Sequence, residues 1–411
     1  MSREAPVANR QGSECRNTEY HLRQYPTAAA LLAFLCLAAP FTPPRSALAQ
    51  SIDDLNLQVH GYATQGFIYT TNNNWNTLNS SGGSAAWTEA VINVSSRPEP
   101  RLRIGVQARY FLLGNLANDI TLDWAQADYK VNERFGFRAG KVKTPIGLLN
   151  ESQDIDPAQL WVLLPQSIYA IANRNSTLSH YGGAVYGTFP LGEALGELQY
   201  RAYGGQRVLT SDDAVFQTVR DKGITLPNGA TGPMYGGTLR WQTPLRGLMF
   251  GASEDSEHTS GSATLGALNG MLQATHFYQP YLYGIYEHNK LMFAGEYTRQ
   301  ALQKTTSFVG GPTIFIPKDQ RAWYLMASYK LAQKLTGGID YSYSLDRQLP
   351  ISSARYQKDW ALAVRYDVDT FLYLKAEQHW VDGTELGYST SDNTSLKPNT
   401  RMTLLKLGVS F

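Results

Sequence analysis

Along most of the chain apolar and polar residues alternate one for one, the period at which a β-strand sends successive side chains to opposite faces. From Arg101 to Tyr110 one face holds Leu102, Ile104, Val106, Ala108 and Tyr110, and the other Arg101, Arg103, Gly105, Gln107 and Arg109. A single strand of this kind fits a soluble sandwich equally well. The make-up of the repeated apolar face narrows the choice: Trp323, Leu325, Ala327 and Tyr329, then Ile339, Tyr341 and Tyr343, then Trp360, Leu362, Val364 and Tyr366. Soluble sheets scatter aromatics through a core, whereas aromatics bracketing each strand make two girdles around a lipid-facing band. Similar runs at 57–69, 86–94, 120–131, 134–142, 179–189, 197–203, 235–243, 248–253, 271–286, 291–300, 372–380 and 403–411 bring the tally to about 16 strands. The expected fold is all-β, an up-and-down antiparallel transmembrane barrel.

The connections alternate in length. Short turns are expected at 132–133, 287–290, 331–335 and 368–370, and long polar loops at 72–85, 204–233, 254–269, 303–319 and 382–399. Short turns on one side and long loops on the other bring both ends of the barrel sequence to the turn side, so the sheet closes without an open edge in lipid. The segment 144–178 has no strand pattern, and Asp156 before Pro157 reads as an N-cap and first helical position of a short helix. The apolar run from Leu160 to Leu164 argues for packing, so the segment is expected to fold into the barrel as a constriction loop. Glu151, Asp154, Asp156 and Arg174 would be its charged edge. The competing reading is a lid or an oligomer-contact loop outside the barrel.

The first segment sets the compartment. Arg3, Arg10, Arg16 and Arg23 precede an apolar run from Thr27 to Phe41, and Ser46-Ala47-Leu48-Ala49 carries small residues where a leader peptidase reads. The run is about 15 residues, short of the roughly 20 a spanning helix needs, so 1–49 is expected to be a cleaved signal peptide and 50–411 the barrel. The leader sequence is long, and the true start codon is open between Met1 and a position further in. Both cysteines, Cys15 and Cys36, fall in the leader, which removes disulfides, thiolate metal sites and a Cys nucleophile from the mature chain. The 36 basic residues fall by five and the 34 acidic by three, so the mature chain balances at 31 of each, without support for a nucleic-acid partner. A mean hydropathy of −0.31 is too polar for a helical membrane protein, while 25 tyrosines and 8 tryptophans suit membrane interfaces. At the other end Leu405, Leu407 and Val409 alternate with Lys406, Gly408 and Ser410 and lead to Phe411, resembling the signal read by the outer-membrane barrel-assembly machinery.

Counted by parity, the inward bases are Arg103, Arg109, Arg138, Arg201, Arg240, Arg365 and Lys375, and the inward acids Asp123, Glu296, Asp340, Asp359, Asp367 and Glu377. They either set ion preference at a narrow point or only solvate and brace the wall. Arg103, Arg109 and Arg138, on neighbouring strands, could form a basic ladder opposite the loop acids. Lys141 and Lys143 fall on lipid-facing parity, at about 2–4 kcal/mol each at mid-membrane. They must lie beyond the apolar slab or be turned inward by a bulge at Gly140. Catalysis has little to stand on: Ser179 and His180 are adjacent in a strand and point to opposite faces, and His60, His258, His276, His288 and His379 are scattered without metal-ligand spacing. No metal or cofactor is expected. Glu254, Asp255, Glu257 and His258 open a loop that would be a solvated face or a cation bridge to lipopolysaccharide.

Three stretches carry a family resemblance: His60-Gly61-Tyr62-Ala63-Thr64-Gln65-Gly66-Phe67, Leu122-Asp123-Trp124-Ala125-Gln126-Ala127-Asp128-Tyr129, and Gly140-Lys141-Val142-Lys143-Thr144-Pro145-Ile146-Gly147-Leu148-Leu149-Asn150-Glu151. They resemble porin-like outer-membrane proteins, with a distant similarity to the phosphate-selective porins that is best over about 55–205. The resemblance implies a barrel of about 16 strands with one loop in its lumen, often trimeric, passing small hydrophilic solutes or ions across a Gram-negative outer membrane among lipid and lipopolysaccharide. It carries no phosphate selectivity across, because the lysine-rich filter has no counterpart here. The alternatives are a barrel enzyme of lipase or protease type and a surface receptor or adhesin.

Overall fold

A computed structural model describes residues 56–411 other than 77, 78, 115, 275 and 276; the expected leader, 1–49, and His276 lie outside the described residues. Sixteen antiparallel strands form one closed wall. They are β1 (Gln58–Thr70), β2 (Ser84–Glu99), β3 (Leu102–Leu113), β4 (Ala117–Asn132), β5 (Phe135–Lys143), β6 (Ser179–Gly192), β7 (Gly196–Leu209), β8 (Ala230–Gln242), β9 (Leu248–Glu257), β10 (Phe277–His288), β11 (Leu291–Phe308), β12 (Thr313–Ala332), β13 (Leu335–Asp346), β14 (Tyr356–Asp367), β15 (Leu372–Gly383) and β16 (Asn399–Ser410). Each pairs with its sequence neighbours, and β1 closes on β16 from Tyr62↔Ser410 to Thr70↔Met402. A closed wall satisfies every ladder donor without an edge, the condition for backbone in lipid.

The outward face is an apolar belt with aromatics towards both rims. Tyr69, Tyr297, Trp360 and Trp380 are exposed near the loop end, Phe137, Phe189, Tyr329 and Tyr366 near the turn end, and Ile92, Val106, Leu282 and Leu362 between. Such a face is stable only against lipid. Among the described residues no helix is long and apolar enough to cross a membrane, so the crossing is made by strands.

Two expected loops are strands. Around 254–269, β9 runs on to Glu257 and is prolonged by Ser260–Leu265, which keeps the β8 register from Glu257↔Met234 to Ser260↔Thr231. Ser260–Leu265 then pairs with Leu268–Ala274, which meets β11 at Gly270↔Phe308. Around 303–319, β11 and β12 pair through Ser307↔Thr313, and only 309–312 turn. Both stretches keep period two with Ser, Thr and Gln in place of apolar residues, because the wall here rises past the apolar belt. The segment 204–233, without a legible element in the sequence, continues β7 to Leu209 and then forms a 3-10 turn (Ala214–Phe216), a helical turn (Gln217–Arg220) and the short strand Ile224–Thr225. Asp213 caps this region by accepting from the Val215 N–H at 3.2 Å, and Phe216, Val219, Ile224 and Leu226 pack on Leu209, Leu272 and Phe308.

One irregularity prepares the interior. β3 and β4 pair as Gln107↔Trp124 and then Ala108↔Leu122, so Asp123 is an extra residue, and Asp123 and Trp124 are both buried. Opposite this bulge Gly140 has φ +124, and a Cβ there would meet the Ala125 carbonyl oxygen at 2.3 Å.

Candidate functional site: the loop inside the barrel

The loop 144–178 lies inside the barrel, held by inward side chains from most of the wall. Its first turn is fixed at β9 and β11: the Gly147 N–H donates to Ser253 Oγ at 2.8 Å and the Leu148 N–H to Glu296 Oε1 at 3.2 Å. Tyr169, from the returning limb, donates to Glu296 Oε2 at 2.6 Å, and Tyr324 donates to the same oxygen at 3.0 Å. Glu296 therefore receives three donors, the requirement for burying a carboxylate.

The far side of the loop is clasped by β14, β15 and β16. Asp156 accepts from Lys375 Nζ at 3.0 Å, Lys406 Nζ at 2.8 Å and Tyr373 OH at 2.8 Å. Burial alone would raise the Asp156 carboxyl, but Lys406 and Lys375 hold it well below the usual carboxylate range. Glu377 accepts the N–H groups of Val162 and Leu163 at 2.5 and 3.1 Å and is braced by His379 Nε2 at 3.1 Å, whose Nδ1 lies 2.9 Å from Asp359. Arg365 donates to the Pro157 and Gln159 carbonyls. Trp161 and Tyr169 pack on Ala294, Tyr324, Met326 and Ala363, and Val162 and Leu163 on a cluster with Trp75, Trp87 and Leu404.

The returning limb is fixed on β3, β4 and β7. Arg174 makes a two-pronged pair with Asp123, 2.8 Å on each prong, and Asp123 keeps the guanidinium charged against its burial. Arg207 donates to the Ser176 carbonyl and pairs with Asp255 at 3.1 Å and Glu257 at 2.7 Å. Those two acids are thus wall braces rather than a solvated loop face or a cation bridge. Asp154 collects Lys143 Nζ at 2.6 Å, Gln107 Nε2 at 2.9 Å and Trp124 Nε1 at 3.2 Å. Lys143 has turned inward beside Gly140, while Lys141 stays on the outward face, bonded to the Leu122 carbonyl and 5.4 Å from the Tyr181 ring.

Three expectations need correction. The charged edge of the loop is Glu151 alone, because Asp154, Asp156 and Arg174 are buried in ion pairs. Asp156 is also not an N-cap: Asp156–Ala158 is a single 3-10 turn, and the carboxylate is taken by the lysines instead. The supposed ladder of Arg103, Arg109 and Arg138 does not form. Arg109 is buried, bonded to Glu89 at 2.6 Å and stacked 3.6 Å from the Phe111 ring, and Arg103 sits exposed near the turn end. A different set comes together on β5, β7 and β8. Arg201 bonds Glu151, Arg240 lies 3.5 Å and Arg138 3.8 Å from it, and Arg138 also bonds Asp128 at 2.7 Å. These three arginines keep 22%, 23% and 17% of their side chains open to solvent for Arg138, Arg201 and Arg240, against 2% for Arg109.

Glu89 and Lys406, outside the expected set, sit on the inward parity of their strands, and Arg207 lies past the expected end of its strand. Asp340 faces inward and is buried beside the β14 and β15 acids, and Asp367 bonds Arg365 at 2.8 Å. Phe411 pairs its backbone with Gly61 in both directions, at 3.0 and 3.1 Å, and its ring covers Gly61.

No family model matches the chain and no curated protein matches it in sequence, so the likeness to the phosphate-selective porins rests on the short motifs alone. The solved structures it resembles include outer-membrane porins. OmpF of Salmonella typhi superposes with a TM-score of 0.56 at 14% identity, over 87% of this chain and 99% of that one. An anion-selective porin from Comamonas acidovorans gives 0.53 at 10% over 86% and 99%. The outer-membrane channel DcaP of Acinetobacter baumannii gives 0.52 at 10% over 86% and 97%. With its apolar belt and its inward loop, the chain is a transmembrane β-barrel of porin fold, of the kind found in Gram-negative outer membranes.

Proposed function

We propose that this chain is an outer-membrane diffusion channel for small hydrophilic solutes, with a preference for anions. The observation that carries the reading is the arginine trio: where much of the loop packs on β10–β16, Arg138, Arg201 and Arg240, gathered around Glu151 on β5, β7 and β8, stay reachable by solvent. Three guanidinium groups facing two carboxylates, Glu151 and Asp128, leave a positive surplus where a solute would pass. One of the structural relatives is itself an anion-selective porin. In this reading the loops face outward from the cell, and both ends of the barrel chain lie in the periplasm with Phe411 as the assembly signal. The channel works as a homotrimer, supported by the small outward residues gathered on β1–β5: Ala63, Ala90, Ala108, Ala125, Ala127 and Ala139.

The enzyme reading has less to draw on. Ser179 Oγ donates to the Asp123 carbonyl, His180 Nδ1 meets Thr144 Oγ1 at 3.0 Å, and His379 is enclosed by Asp359 and Glu377, all buried. The test is single-channel recording of the refolded protein in a planar bilayer under a salt gradient. Stepwise openings in groups of three with an anion-side reversal potential are expected; a well-folded, silent barrel would overturn the reading in favour of an enzyme or receptor.

A further inference from the structure

The inward face of β10–β13 carries a second polar group, on the loop-end side of the Glu296 anchor. Lys304 on β11 and Lys318 on β12 are diagonal neighbours there, through the pairs Leu302↔Lys318 and Lys304↔Ile316. The next inward rung is Gln300↔Gln320, and Gln320 has Asp346 of β13 as its other register partner. Gln320 Nε2 donates to Ser344 Oγ at 2.8 Å and to Glu385 Oε1 at 3.0 Å, which brings in the loop between β15 and β16. Gln300 Nε2 donates to Gln279 Oε1 at 3.1 Å. Three carboxamides thus run across β10–β12, with two ammonium groups above them and two carboxylates beside them. The lysines, the glutamines and Glu385 are each half-buried rather than sealed.

The charges in this group are not matched to one another. Lys318 lies within electrostatic reach of Lys304, Glu385 and Asp346, yet among the described residues none of the four forms an ion pair. Elsewhere in the interior opposite charges do close, Lys375 and Lys406 on Asp156 and Arg207 on Asp255 and Glu257. Lys304 gives one of its three donors to the Val215 carbonyl. Asp346 takes the N–H groups of Asp319 and Gln348 on Oδ1, at 3.1 and 3.0 Å. Glu385 Oε2 is buried without a hydrogen-bond partner, a cost that an arriving donor would remove. Ammonium groups on one side, carboxylates on the other and carboxamides between them, able both to donate and to accept, are complementary to a molecule that carries both charges and an amide.

We propose that this group is a binding subsite for short zwitterionic peptides, with the C-terminal carboxylate on Lys304 and Lys318, the N-terminal ammonium on Glu385 and Asp346, and the peptide bond on Gln300 and Gln320. Passage of the bound peptide through the barrel rests on the channel reading; the subsite itself does not.

The test is titration calorimetry of the folded protein in detergent at neutral pH with three ligands: alanylalanine, its N-acetyl form, which lacks the ammonium, and its C-terminal amide, which lacks the carboxylate. Alanylalanine is expected to bind about tenfold more tightly than either, the worth of one charge-assisted hydrogen bond. Lys318→Gln should remove the preference over the amide and keep that over the N-acetyl form, and Glu385→Gln should do the reverse. The comparison of the three ligands on the unaltered protein stands whether or not the variants fold. No binding, equal binding of all three, an N-acetyl form that binds as well as alanylalanine, or a folded variant that keeps both preferences would each overturn the assignment. Channel recordings of the same preparation separate the two proposals. Alanylalanine held by a silent barrel upholds the subsite and removes the porin reading, and a conducting barrel that treats the three ligands alike does the opposite.

Discussion

Arg138, Arg201 and Arg240 share Glu151, and Arg138 also holds Asp128, so the surplus at this wall is small and a single substitution sets its sign. Glu151→Gln is expected to move the zero-current potential further to the anion side and Arg201→Glu to the cation side; shifts of the same sign would remove the trio from the solute path. A second residue-scale effect concerns pH. Burial pushes the Glu385 carboxyl, in the loop between β15 and β16, up to about 7, despite hydrogen bonds from Ser344 and Gln320. A carboxyl raised in the folded state favours folding at low pH, and that advantage is lost as pH rises from the ordinary glutamate range to about 7. Glu385→Gln should therefore raise the melting temperature at pH 8 and leave it unchanged at pH 5. Alternation put the inward residues on the inner face but said nothing about depth. Arg109 and Arg201 share a parity, and only the path of the loop makes one a buried brace and the other a solvent-facing charge.

At the scale of elements, the loop 144–178 is a built-in part rather than a flap, since its acids and backbone donors are matched by wall residues from β1 to β16. Deleting 152–171 is expected to raise single-channel conductance severalfold; an unchanged conductance would mean that the loop does not narrow the path. Asp156→Asn leaves Lys375 and Lys406 buried without their counter-charge, at a cost of about 3–5 kcal/mol. It should lower the melting temperature and add flicker to the open current. Because the Asp156 pKa is depressed, its contribution is present above the ordinary carboxylate range and lost only as pH falls below it, so this anchor should hold unchanged between pH 7 and pH 5. The loop was legible through its length and apolar run, its clasp on Asp156 less so, because Lys375 and Lys406 come from strands over 200 residues away. The polar stretches 254–269 and 303–319 read as loops from sequence, because their periodicity lies in Ser, Thr and Gln rather than in apolar residues.

For the whole molecule, the contrast between an alanine-lined side and an aromatic side gives the cylinder a front and a back. Ala90→Trp with Ala125→Trp puts bulk on the first and should turn a heat-labile trimer into monomers on a semi-native gel, while the barrel stays folded. A trimer that survives would place the contact elsewhere. The sixteen-strand closure was readable from repetition and from the alternation of connections, since each strand is short but the pattern recurs.

The clasp on Asp156 also bears on assembly. Lys375 and Lys406 belong to the last two strands, and β16 is the strand that meets β1. The Asp156 end of the loop cannot be fastened before these strands arrive, and once β16 is seated the seam with β1 can form. Sealing the cylinder and narrowing it thus depend on the same late step. A barrel stalled before that step would be unsealed and its loop only partly fastened, which makes leakage of the membrane, rather than lost transport, the expected cost of a chain that fails to finish.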